Sequence, residues 1–175
     1  MTDPPQQPDA TPAARTAPGL HWGLKRSFLT YIARQPDGRC SVTDGADLDA
    51  DGRFLFAFAD PAAPGDRELR LCGELRFAAH HGMLFVRIAA PRLVVEDARG
   101  QLFAQVGLEE DAPHVVLATF AVPDRSVALS GPWTGTGLTL TDDGAEVFGG
   151  VYDVGEPLDD FIVVPAPAPP GTTDS

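Results

Sequence analysis

Ten consecutive residues, Glu68 to Phe77 (E-L-R-L-C-G-E-L-R-F), alternate polar and apolar side chains almost without a break. Successive side chains of a strand point to opposite faces, so this run buries one face and wets the other, which a helix could not do. The same period recurs along the chain. Phe54, Phe56 and Phe58 repeat every second residue in R-F-L-F-A-F. Met83–Ile88 follows the run across a His-His-Gly turn and is expected to pair with it as a hairpin. Arg39–Val42, Arg92–Val95, Gln101–Val106, Val115–Phe120 and Leu138–Leu140 read as further strands, with a turn at Asp97–Gly100. With 18 Gly and 17 Pro in 175 residues, turns are plentiful and long helices are not. The expected fold is all-β: an antiparallel β-sandwich or barrel-like sheet with two short peripheral helices. One of these is Asp142–Phe148, with Thr141 as its N-cap, acidic residues in its first turn and Gly149-Gly150 ending it.

The length suits one domain, and 43% hydrophobic with 8% aromatic residues is enough for an ordinary core. The formal net charge of −12 argues against nucleic acid, whose phosphates need clustered Lys and Arg. It also argues against an anionic membrane surface. Residues 1–18 and 164–175 are rich in Pro and small or polar residues and are expected to be disordered tails around a domain at 19–163. The N-terminal segment lacks the basic start and apolar run of a secretory signal. No stretch approaches the roughly 20 apolar residues of a membrane span. On these grounds alone the expected location is cytoplasmic. Cys40 and Cys72 form neither a C-x-x-C pair nor a covalent haem attachment motif; they are two thiols, bridged only if their strands are neighbours. No G-x-S-x-G elbow or P-loop is present, and Glu109-Glu110-Asp111 reads as a solvated loop, so no enzyme is expected.

The other expected helix lies near the start. Leu24, Phe28, Tyr31 and Ile32 fall on one face at helical spacing, and Ser27 sits one turn before Tyr31. Pro36-Asp37-Gly38 stops it. So short a helix needs tertiary packing, which places Tyr31 at an edge of the packed body. Taken alone, Tyr31 reads as a core or rim residue with its hydroxyl bonded to backbone. The His80-His81 pair reads as turn residues or as an invitation to a divalent metal, although neighbours on a strand diverge and would not chelate one ion.

Three ordered motifs narrow this. The first is W-G-x-K-x-S-F-x-x-Y, filled by Trp22, Gly23, Lys25, Ser27, Phe28 and Tyr31. The second is a strand entering a His-x-Gly turn, with Gly73, Leu75, Phe77, His80, Gly82 and Leu84. The third, L-T-x-x-G-A-x-x-F-G-G-x-Y followed by L-D, has Leu140, Thr141, Gly144, Ala145, Phe148, Gly149, Gly150, Tyr152, Leu158 and Asp159. Together they resemble the HtaA-type haem-binding domain of cell-surface and secreted haem-uptake proteins. The likeness runs from about residue 19 to about residue 163. It departs from the family at Ala79, where glycine is usual, at Asp160, where proline is usual, and in the missing signal and anchor.

The resemblance implies a non-enzymatic protein that holds ferric haem b non-covalently for uptake, transfer or storage. Tyr31 would be the axial iron ligand, His80 would hydrogen-bond its oxygen, and Ser27 would support the site near the propionates. Phe28, Phe148 and Tyr152, from the same motifs, are candidate walls for the porphyrin. Lys25, Arg26, Arg76 and Arg87 are candidate partners for the propionates. The chemistry agrees: a phenol keeps its proton up to about pH 10 in water, so binding as phenolate needs a strong Lewis acid such as ferric haem. The implied partners are haem and a second haem-binding protein as donor or acceptor, with a homodimer left open. The implied location is exported or cell-surface. The alternative is a β-sandwich interaction or structural module that binds no haem.

Overall fold

The computed structural model describes residues 17–60, 67–123 and 131–167; the expected tails lie almost wholly outside the described residues. The chain begins with β1 (Gly19–Trp22) and α1 (Arg26–Arg34). Then come β2 (Arg39–Thr43), β3 (Ala46–Leu48), β4 (Phe54–Phe56), β5 (Glu68–Arg70), β6 (Glu74–Ala79) and β7 (Leu84–Glu96). The series ends with β8 (Arg99–Gln105), β9 (His114–Ala121), β10 (Trp133–Leu140), α2 (Asp142–Val147) and β11 (Phe161–Val164). All the strand pairs are antiparallel, in the order β2-β6-β7-β8-β9-β10-β11-β1-β4-β3, with β5 beside β7. The all-β, barrel-like expectation is met, and the closure is visible. A bridge between Phe58 and Leu71 joins the chain after β4 to the end of β5. Two backbone bonds of 2.9 Å, Ala59 N–H to Arg70 O and Cys72 N–H to Ala57 O, reinforce it. Closing a sheet in this way hides its edges.

Strands β1, β3 and β11 have no counterpart in the sequence reading, and two stretches of the expected strands divide differently. The Glu68–Phe77 run is not one strand but β5 and β6, broken at Leu71–Gly73. Gly73 takes φ +123°, and a Cβ there would come within 2.7 Å of Ala46. Both halves pair with β7, which welds the two expected strands 83–88 and 92–95 into one of 13 residues. The weld carries a register shift between Ala89 and Arg92, where Ala90 has φ +43° and Pro91 follows. Such a bulge bends a strand so that it can serve two neighbours. The Thr141 cap is as expected: its side chain accepts from Gly144 N–H at 3.0 Å. Among the described residues no helix is long and apolar enough to cross a membrane.

Aromatic rings fill the core in two groups. Phe120, Trp133 and Phe161 pack together, with Phe120 and Phe161 centroids 4.8 Å apart edge-on. The Phe161 ring occupies the space where a Cβ on Gly135 would stand, 2.2 Å away. The second group, Phe28, Phe54, Phe77, Phe148 and Tyr152, lies beneath α1.

Among the described residues four polar ones are buried in this frame, His21, Lys25, Glu74 and Arg87, and His21 is the deepest. His21, on β1, is 1% exposed. Its Nε2 lies 2.7 Å from Ala17 O and its Nδ1 2.8 Å from Asp49 Oδ2. Burial pushes the Asp49 carboxyl up, but hydrogen bonds from His21, Arg53 and the Asp51 amide outweigh it and hold the pKa at about 2. A carboxyl depressed in the folded state stabilises the fold above its unfolded pKa and loses that contribution as pH falls through the folded one. Asp49 therefore stabilises the barrel at neutral pH, and this contribution should disappear between pH 3.8 and about 2. Urea unfolding of the protein and of Asp49→Asn across that range checks it: the gap between their midpoints should close on acidification, and a constant gap would refute it.

Candidate functional site

Helix α1 starts at Arg26, two residues later than its hydrophobic spacing implies. Leu24 is not on it: this residue takes φ +63° and drops its side chain fully into the core. The cause is the strand before it. Trp22 is paired with both Phe161 and Phe54, and Leu24 O accepts from Asp159 N–H at 2.9 Å, so the chain must turn sharply before the helix can begin. From there the helix buries Phe28 and Ile32 and turns Ser27, Tyr31 and Arg34 outward. Tyr31 is 39% exposed, at the edge of the packed body as expected. Arg34 sits in the last turn, where the helix dipole favours a cation.

His80 reaches the same place by sheet register. Strand β2 pairs with β6 so that Arg39 faces Ala78, and β6 pairs with β7 so that Ala79 faces Leu84. The turn at His80–Gly82 is thereby set beside the turn that ends α1. His80, His81 and Gly82 have φ of +55°, +56° and +85°. The outcome is a contact across 49 residues: Tyr31 Oη and His80 Nε2 are hydrogen-bonded, with ring centroids 5.9 Å apart. His81 diverges into solvent, its side chain 97% exposed. The two histidines therefore do not converge, and among the described residues no cluster of His, Cys, Asp or Glu could hold a metal ion.

Ser27 and Tyr31 line an open cleft of about 650 Å³ with Lys25, Arg26, Thr30, Arg34, Gln35 and the carboxylate-bearing Asp159. Phe28 and Phe148 lie under the helix, 2% and 0% exposed and 5.2 Å apart edge-on; they form its bed. Tyr152 packs on both and is half-buried. Of the expected propionate partners, three are committed elsewhere. Lys25 Nζ donates to Pro157 O at 2.8 Å, pairs with Glu156 at 2.9 Å and sits 5.1 Å over the Tyr152 ring. Arg87 is buried on Glu74, 2.8 Å away, and Arg76 is bonded to the same carboxylate. Burial would raise the Glu74 carboxyl, but these two guanidinium groups hold it below the usual range. Lys25, Arg26 and Arg34 all line the cleft, and with Lys25 paired to Glu156, Arg26 and Arg34 are the cations left to face a ligand. Cys40 and Cys72 are both free thiols.

The three sequence motifs thus divide into scaffold and site. Trp22 Nε1 donates to Asp159 O at 2.8 Å, and a Cβ on Gly23 would meet Asp159 Oδ2 at 3.0 Å. First and third motifs lock together there, leaving Ser27, Tyr31 and His80 at the surface. The sequence reading missed Asp37, taken only as a helix stop. Its Oδ1 accepts from His80 N–H at 3.1 Å and its Oδ2 from His81 N–H at 2.6 Å. No local signal marks this, because the contact depends on strand register.

The HtaA family model matches residues 18–163, most of the chain. The chain belongs to the HtaA family. Solved HtaA-type domains share its fold. The N-terminal domain of HtaA from Corynebacterium glutamicum superposes with a TM-score of 0.68 at 24% identity, over 87% of this chain and 99% of that one. The C-terminal domain of the same protein gives 0.65 at 22% identity, over 84% and 96%. The heme binding protein HtaB of that organism gives 0.65 at 18% identity, over 85% and 91%. No curated protein matches the chain.

Proposed function

We propose that this HtaA domain is a non-enzymatic carrier of ferric haem, held non-covalently through the Tyr31 phenolate, with His80 hydrogen-bonded to the same oxygen. The observation that carries the reading is the Tyr31–His80 hydrogen bond at an exposed edge of the barrel. A tyrosine buried in a core usually ties its hydroxyl to a partner within the packed body. This one shares it with an imidazole and faces an open cleft whose volume lies in the range of small-molecule sites, roughly 300–1,000 Å³. Tyrosine is an established haem ligand type, and an imidazole bonded to a ligand atom orients it and tunes its basicity. Membership of the HtaA family and the likeness to a heme binding protein support the same cargo. Arg26 and Arg34 supply positive charge for the propionates, and Ser27 a hydroxyl beside them. Phe28, Phe148 and Tyr152 serve by packing beneath α1. Met83, directly after the His80 turn and 90% exposed, offers apolar surface next to the pair.

A surface site bound by one protein ligand suits a cargo that is handed on, so the proposed partner is a second haem-binding protein acting as donor or acceptor, in uptake, transfer or storage. Titration with ferric haem should give a saturable one-to-one complex with a high-spin tyrosinate-type visible spectrum. His80→Ala should weaken it by about 10–100-fold, as loss of a partner behind a metal ligand usually does. Weak, non-saturating absorbance, equal in both proteins, would leave the interaction-module alternative.

A further inference from the structure

Asp37 stands in the turn that ends α1, and its carboxylate takes both backbone amides of the opposite turn, His80 at 3.1 Å and His81 at 2.6 Å. The register explains the meeting. Arg39 faces Ala78, so two residues further the antiparallel ladder sets residue 37 opposite residue 80. His80 and His81 are non-glycine residues at positive φ, a conformation that L-residues adopt only when the surroundings hold it. Here the two successive amides of the turn point at one place, a concave anion site of the kind that turn N–H groups can make. In this protein the anion is Asp37 itself. The bonds from the His81 amide above all keep its carboxyl below the usual range, so at neutral pH it is ionised and purely an acceptor.

We propose that Asp37 is the positioning residue of the haem site: by clamping the His80–His81 turn to the end of the helix that carries Tyr31, it sets the His80 imidazole on the Tyr31 oxygen. This rests on the haem reading above. Asp37 touches neither ring. It acts through the backbone, joining the two elements whose separation would part Tyr31 from His80. A turn without the clamp would leave two histidines in strained conformations with their amides facing water, and the imidazole would be free to leave the phenol.

The test compares the protein with Asp37→Ala, Asp37→Asn, His80→Ala and the Asp37→Ala/His80→Ala double variant. Release of ferric haem to an excess of a scavenging apoprotein should be about 10–100-fold faster for Asp37→Ala. The visible spectrum should shift as it does for His80→Ala. Asp37→Asn keeps one acceptor oxygen and should recover part of the loss. The double variant should release haem no faster than His80→Ala alone, because the two side chains act as one unit. Equal acceleration by Asp37→Ala in the His80→Ala background, or an unchanged release rate, would overturn the proposal. If Asp37→Ala does not fold, the Asp37→Asn variant carries the same comparison. A second readout needs no haem: hydrogen exchange of the His80 and His81 amides in the apoprotein. Protection lost in Asp37→Ala, together with changed His80 ring nitrogen signals, supports the clamp even if the protein takes up no haem. Unchanged exchange and ring signals overturn it.

Discussion

Tyr31→Ala should abolish saturable haem binding and leave the fold intact. The iron–phenolate bond would be the protein's one coordinate bond to the cargo, so the loss should exceed the roughly 10–100-fold expected from His80→Ala. The ring is 39% exposed, and the helix is anchored by Phe28 and Ile32 instead. The change in stability should therefore stay within about 0.5 kcal/mol, the range for surface substitutions. Tyr31→Phe removes only the oxygen and should lose binding equally. Visible titration and urea unfolding of the same samples check both halves. Binding retained by Tyr31→Phe would assign the iron to another group.

Phe28→Ala should act through the fold instead. Phe28 is 2% exposed, with ring centroids 5.2 Å from Phe77, 5.2 Å from Phe148 and 6.4 Å from Tyr152. Truncating a buried Phe typically costs about 3–5 kcal/mol through lost transfer energy and the cavity left behind. That is a large share of the roughly 5–15 kcal/mol that holds a domain folded. The cavity would open directly under the helix that carries Tyr31, so haem affinity should fall with stability. Phe28→Leu fills most of the space and should retain binding, since Phe28 supports the site from below. The measurement is the urea midpoint of both variants, with the slope checked for constancy. A loss below about 1 kcal/mol for Phe28→Ala would mean the aromatic bed can collapse around the gap.

Much of the barrel was legible because most of its strands are wet on one face. Period-two alternation marks β4, β6 and β8, whose buried and less buried residues alternate over most of their length. It fails for β1, all four residues of which are buried, His21 among them. It fails also where a continuous pattern hides a break, as at Gly73, whose φ of +123° splits the Glu68–Phe77 run. Conversely, β7 looked like two strands because Ala90 and Pro91 interrupt its pattern, whereas they form a bulge inside one strand. The Tyr31–His80 pairing followed from the ordered motifs, and α1 with the His80 turn brings it about. The partners of the nearby cations did not follow, because Lys25 is claimed by Glu156, far away in sequence, and Arg87 by Glu74 on the neighbouring strand β6. Asp37 was hidden for a related reason. Its turn is local, but its hydrogen bonds depend on how β2 and β6 register.

Resonance Raman spectroscopy of the ferric haem complex tests the central claim most directly. The chain has only two tyrosines, Tyr31 and Tyr152, so a Tyr152→Phe protein grown with ring-deuterated tyrosine reports on Tyr31 alone. Tyrosinate modes enhanced in the charge-transfer band and shifted by the label would establish Tyr31 as the iron ligand. A complex without label-sensitive modes would contradict it and transfer the iron to another side chain or to water.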